Sequence, residues 1–133
     1  MHVKRVDHIG VAVSNLAEAI EAYEALGLEA SSVEQIPSES VNVALFPIGE
    51  TRIELLEPSQ TDSVIDRFLQ KHGEGIHHIA LEVENLEEAS RTLLAAGVRL
   101  VYDSPHVGEG GSRINFVHPS STRGVLIELR EGA

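Results

Sequence analysis

The feature that most limits what this chain can fold into is that it repeats itself. Asp7-His8-Ile9-Gly10-Val11-Ala12-Val13-Ser14-Asn15-Leu16 returns as His77-His78-Ile79-Ala80-Leu81-Glu82-Val83-Glu84-Asn85-Leu86. The likeness runs on through Glu18-Ala19 against Glu88-Ala89, and through Ala25 and Gly27 against Ala95 and Gly97. About nine of some twenty-one positions are identical at a constant offset, more than two unrelated strand–helix units would share. A second echo follows, where Arg52-Ile53-Glu54-Leu55-Leu56-Glu57 resembles Val125-Leu126-Ile127-Glu128-Leu129-Arg130. The chain is two copies of one module.

Each copy opens with an alternating strand, about residues 4–13 and 76–83, and then reaches an Asn suited to cap a helix, Asn15 or Asn85. The helices that follow place Leu16, Ala19, Ile20, Tyr23 and Leu26, then Leu86, Ala89, Leu93 and Leu94, at helical spacing. Gly27 and Gly97 stand where a helix end needs a residue tolerant of positive φ. Three further strands are predicted per copy, at about 28–36, 41–47 and 51–57, then at 98–103, 113–118 and 124–130. Pro37 and the run from Pro105 to Gly111 interrupt them as loops. A linker helix over about 61–71, with Val64, Ile65, Phe68 and Leu69 apolar, joins the copies. The predicted class is α+β, two tandem βαβββ modules forming curved mixed sheets around a metal-containing cleft. No boundary has linker composition, so the chain reads as one domain over 1–133, with modules at about 3–60 and 75–131.

Composition narrows the function. A formal charge of −11 argues against nucleic acid, which needs a basic footprint. It also means that any anionic substrate requires local positive charge from a metal or a few placed cations. With no cysteine there is neither a disulfide framework nor a thiolate metal site. No run approaches the roughly 20 apolar residues of a membrane span, and Met1-His2-Val3-Lys4-Arg5 leads into a strand without a signal-peptide pattern, so the expected location is cytoplasmic.

Side chains alternate across a strand, which sorts the polar residues. Ile9, Val11 and Val13 share one face and must pack under the helix; His8, Gly10 and Ala12 share the other. The second copy repeats this with Ile79, Leu81 and Val83 against His78, Ala80 and Glu82. In the late strands Glu54 points away from Ile53 and Leu55, and Glu128 away from Ile127 and Leu129. A carboxylate in an aliphatic strand is costly unless it is paired or binds a cation. A two-fold arrangement of the modules would bring His8, Glu54, His78 and Glu128 around one point. Two imidazoles and two carboxylates suit a borderline divalent ion such as Mn, Co, Ni, Fe or Zn. Taken singly, a strand His is more often a hydrogen-bonded structural residue and a strand Glu a solvated one; the repetition favours ligation.

At these positions the chain resembles the vicinal-oxygen-chelate superfamily and, within it, the methylmalonyl-CoA epimerase family. The closer resemblance is carried by Val6 to Val13, Arg52 to Pro58, Gly75 to Ala80 and above all Phe116-Val117-His118-Pro119-Ser120-Ser121-Thr122-Arg123-Gly124-Val125-Leu126-Ile127-Glu128-Leu129. It implies ligation of one divalent ion by His8, Glu54, His78 and Glu128, and a Glu base in the loop before the third strand. That loop reads Ile36-Pro37-Ser38-Glu39-Ser40-Val41, making Glu39 the candidate, with a solvated loop Glu as the alternative. The implied reaction inverts C2 of methylmalonyl-CoA by proton abstraction and return through an enolate whose charge the metal offsets, with Glu39 serving one face and Glu128 the other. Ser121, Thr122 and Arg123 are candidate substrate-binding residues, though turn chemistry is an equal reading for the first two. Arg113 and Arg123 are candidates to meet CoA phosphates, surface solvation being the alternative. His77 is expected on the opposite face from His78, in a structural role. The partner is a small acyl-CoA, and a homodimer is expected by analogy. Rival readings are a lactoylglutathione lyase-type isomerase and a non-catalytic small-ligand-binding protein on the same scaffold.

Overall fold

The structure is a computed structural model that describes residues 1–132. It contains two compact units: residues 8–77, and residues 1–7 with those from 78 onward. The unit boundaries cut the first strand of each repeat just before His8 and His78.

In the unit over 8–77 the strands are β1 (Val3–Ala12, of which 8–12 belong here), β2 (Ser32–Ile36), β3 (Val41–Ile48) and β4 (Thr51–Pro58), in the order β2-β3-β4-β1. β3 pairs antiparallel with β2 and β4, while β1 runs parallel to β4 with Gly10 opposite Glu54. Helix α1 (Leu16–Glu24) covers one face, where Val11, Val13, Ala44, Phe46 and Leu55 form the core and Ile20 and Tyr23 press down on it. Helix α2 (Val64–His72) covers a second cluster of Ala12, Val41, Val43, Leu56 and Ile65 with Phe68 and Leu69. Consecutive β1 residues thus serve different clusters, as alternation requires.

The other unit repeats the plan. β5 (Gly75–Val83), β7 (Arg113–Val117), β8 (Ile127–Glu131) and the two-residue β6 (His106–Val107) lie in the order β5-β8-β7-β6. β5 is parallel to β8 with Ala80 opposite Glu128, the counterpart of Gly10 opposite Glu54. Helix α3 (Leu86–Ala95) packs Leu86 and Ala89 on Val83, Val117 and Leu129.

The helix signals are borne out. Asn15 and Asn85 are extended N-caps whose side chains accept from the Glu18 and Glu88 amides at 3.0 and 2.9 Å. Gly27 and Gly97 adopt φ of 91° and 83°, conformations that most side chains resist. The helix expected over 61–71 starts at Val64 instead, because Ser63 caps it through the Asp66 amide.

Three strand expectations need correction. The strand expected over 28–36 begins only at Ser32; Leu28 and Ala30 pack on the core without joining the ladder. The one expected over 124–130 begins at Ile127, since Arg123 and Gly124 have left-handed φ of 62° and 102° and hold the chain in a turn. No strand forms over 98–103 beyond a single bridge from Leu100 to Val117. Backbone bonds join Val101 to Phe116 and His118 to Arg99, but at Tyr102 the fully buried Asn115 takes over: its amide donates to the Tyr102 carbonyl at 3.1 Å while its oxygen accepts from the Tyr102 N–H at 3.0 Å. A side chain does there what a ladder partner would. Conversely, the run 105–111 was expected as loop and holds the short β6.

Candidate metal centre

Each unit buries one imidazole beside one carboxylate. In the unit over 8–77, His8 Nδ1 lies 3.4 Å from Glu54 Oε2; in the other, His78 Nε2 lies 3.6 Å from Glu128 Oε1. All four residues are at most 7% exposed. The parallel pairings produce this placement. Gly10 and Ala80 sit opposite the carboxylates, and each histidine stands two residues earlier on the same strand face. A glycine and an alanine at those positions leave the space that a larger side chain would fill.

Both separations lie beyond the usual hydrogen-bond range of about 2.7–3.2 Å. They are close to what two ligands of one ion require, since atoms about 2.1 Å from a shared centre and roughly tetrahedrally disposed are about 3.4 Å apart. With nitrogen and carboxylate donors and no thiolate, the set fits a borderline divalent ion.

Both carboxylates are also held by arginines that the reading of the strands overlooked. Arg52 Nε donates to Glu54 Oε2 at 2.8 Å. Arg130, itself buried, places Nη1 3.7 Å from Glu128 Oε2 and 3.5 Å from Asp7 Oδ2, and its Nη2 donates to Ser112 Oγ. Arg5 extends the chain of charges from Asp7 to Glu82. The available signal was spacing: Arg52 and Arg130 are each two residues from their Glu and so share its face.

A second duplicated carboxylate was also missed. Glu57 Oε2 accepts from the Leu16 N–H at 2.7 Å and Glu131 Oε1 from the Leu86 N–H at 2.8 Å. These oxygens satisfy first-turn donors of α1 and α3 and place negative charge at the helix N-termini. Glu57 therefore supports the scaffold, whereas Glu54 lies beside His8.

The remaining candidates fall outside the two pairs. Glu39 is exposed and ends a single 3-10 turn, Pro37–Glu39, closed by a left-handed Ser40. Ser121 Oγ accepts from the Arg99 N–H at 2.9 Å, and Thr122 Oγ1 donates to the Val125 carbonyl, so both hydroxyls shape the loop. Arg123 is exposed beside them, and the half-buried Arg113 pairs with Glu87 at 3.3 Å. His118 accepts from the Ser120 N–H through Nδ1, making it a turn cap. His77 lies edge-on to Phe68 with ring centroids 4.9 Å apart, and burial lowers its pKa from 6.5 to about 4. Its neutral ring packs as a structural residue.

The profile of the Glyoxalase/Bleomycin resistance protein/Dioxygenase superfamily matches residues 7–116. A mitochondrial methylmalonyl-CoA epimerase of Dictyostelium discoideum is 37% identical over 131 residues, covering 97% of this chain and 79% of its own. An ethylmalonyl-CoA/methylmalonyl-CoA epimerase of Cereibacter sphaeroides is 36% identical, with 97% and 98% covered. The Streptomyces coelicolor methylmalonyl-CoA epimerase, solved in complex with 2-nitronate-propionyl-CoA, superposes with a TM-score of 0.90 at 37% identity, covering 99% of each chain.

Proposed function

The chain belongs to the glyoxalase/bleomycin resistance protein/dioxygenase superfamily and, within it, to the methylmalonyl-CoA epimerases, and from that premise we propose that it inverts C2 of methylmalonyl-CoA at a divalent-metal site formed by His8, Glu54, His78 and Glu128. The observation that carries this reading is the buried His–Glu pair that occurs once per repeat at matching register. We take His8, His78 and Glu128 as three of the ligands and Glu54, beside His8, as the fourth.

When bound, a divalent cation supplies positive charge that stabilises the anionic thioester oxygen formed as C2 loses its proton. The rest falls to side chains. One carboxylate takes the C2 proton, the C–H electron pair shifts toward the thioester carbonyl, and a proton returned to the opposite face completes inversion. We assign one face to Glu39 and the other to Glu128 or another carboxylate of the site. The exposed turn over 37–39, which continues through Ser40 into β3, suits Glu39 for exchange with solvent. Ser121 and Thr122 hold the loop that displays Arg123, and we assign that guanidinium to the anionic end of the acyl-CoA. The ion is Co, Mn, Ni, Zn or Fe by donor chemistry, and the assembly proposed by analogy is a homodimer.

Methylmalonyl-CoA incubated with the protein in deuterated water should gain deuterium at C2, with ethylmalonyl-CoA and a glutathione hemithioacetal run alongside. Exchange confined to the hemithioacetal would replace this reading with that of a lactoylglutathione lyase-type isomerase. Binding without exchange of any substrate, and no metal on elemental analysis, would favour a ligand-sequestering protein.

A further inference from the structure

Glu128 divides its two oxygens. Oε1 faces His78 Nε2 at 3.6 Å, and Oε2 faces Arg130 Nη1 at 3.7 Å. On Glu54, Oε2 meets both Arg52 Nε at 2.8 Å and His8 Nδ1 at 3.4 Å. The two arginines differ as well. The Arg52 side chain is a quarter exposed, whereas Arg130 is buried with partners on more than one nitrogen of its fork: Asp7 at 3.5 Å, Glu128, and the buried Ser112 hydroxyl. A buried guanidinium persists only where such partners compensate for lost water. Asp7 is anchored in turn by Arg5 at 3.0 Å, which also reaches Glu82 at 3.2 Å. Charges alternate from Glu82 through Arg5, Asp7 and Arg130 to Glu128.

We propose that Arg130, braced by Asp7 and Ser112, is a positioning residue that holds one oxygen of Glu128 so that the other is presented beside His78. This rests on the metal-site reading above and extends it to residues that touch neither ion nor substrate. A guanidinium oriented by Asp7 and Ser112 keeps its charge beside that one oxygen, which a flexible lysine ammonium does not. Groups that orient ligands typically change metal affinity or activity by about 10–100-fold when altered.

The test uses the full chain with Co(II) and methylmalonyl-CoA, comparing Arg130→Lys, Ser112→Ala and Asp7→Asn. Three readouts are taken: Co(II) affinity by competition with a chromogenic chelator, kcat and KM, and the urea unfolding midpoint. Arg130→Lys keeps the buried positive charge, so the variant should still fold with a lowered midpoint, while Co(II) affinity falls about 10–100-fold. Its kcat should fall with KM nearly unchanged, and Ser112→Ala and Asp7→Asn should show smaller losses in the same direction. Should Arg130→Lys fail to fold, Ser112→Ala, which removes one hydroxyl, decides alone. Parent-like affinity and kcat in the folded variants overturn the positioning role and leave the metal-site reading standing. Failure of the parent itself to bind Co(II) overturns both.

Discussion

Glu54 and Glu57 stand three residues apart on β4 and so face opposite ways; their duties divide accordingly. Glu54 lies beside His8 on the face of the candidate centre, and Glu57 caps α1. The same division recurs between Glu128 and Glu131. Substitution should separate the two pairs. Glu128→Gln and Glu39→Gln should each lower kcat for C2 exchange by about 100-fold or more, the usual worth of a positioned acid or base. Glu57→Gln should leave kcat within a small factor and lower the unfolding free energy, read from urea titration, by only about 1 kcal/mol, since a neutral amide still accepts from the Leu16 N–H. His77 bears on pH. Its folded pKa is lowered to about 4 by burial, so the unfolded chain binds the proton more readily. Its contribution is intact above about 6.5 and is lost as pH falls from there toward 4, at up to about 1.4 kcal/mol per pH unit. Urea titrations across that window should show a slope that His77→Phe reduces.

Among the elements, the helices were legible and the short strands were not. Asn15, Asn85, Gly27 and Gly97 are local signals, acting through bonds within a few residues, and each appears where the spacing placed it. Replacing Asn15 or Asn85 by Ala should cost about 1 kcal/mol each, read from unfolding midpoints. The 98–103 segment has strand composition, yet whether it pairs depends on what β7 offers, and β7 offers the Asn115 side chain. Asn115→Leu would leave the Tyr102 amide and carbonyl without that partner. A loss of about 2–4 kcal/mol, with faster amide exchange over 98–103, is the expected result. The arginines behind the site carboxylates escaped notice because surface-type residues in strands normally face water, and burial is a tertiary property.

For the whole molecule, the repeat supplies two His–Glu pairs, one in each compact unit, and a bound ion would link folding to metal. At a free ion concentration 100 times the dissociation constant, stability should rise by about 2.7 kcal/mol over chelator-treated protein, measured by urea unfolding with and without the ion. No shift on adding any of the five candidate ions would contradict the proposed site. Among the described residues, no helix is long and apolar enough to cross a membrane, in line with the absence of any such run in the sequence.

The sequence alone determined the duplicated module, its helices and caps, and the four candidate ligands. Those features repeat or follow from alternation along a single strand, and both are visible in one dimension. Tertiary structure alone decided which carboxylates cap helices, which arginine is buried behind Glu128, and where an Asn side chain stands in for a ladder bond at Tyr102. Those outcomes depend on how far a side chain reaches toward elements distant in sequence, and periodicity carries no record of that reach.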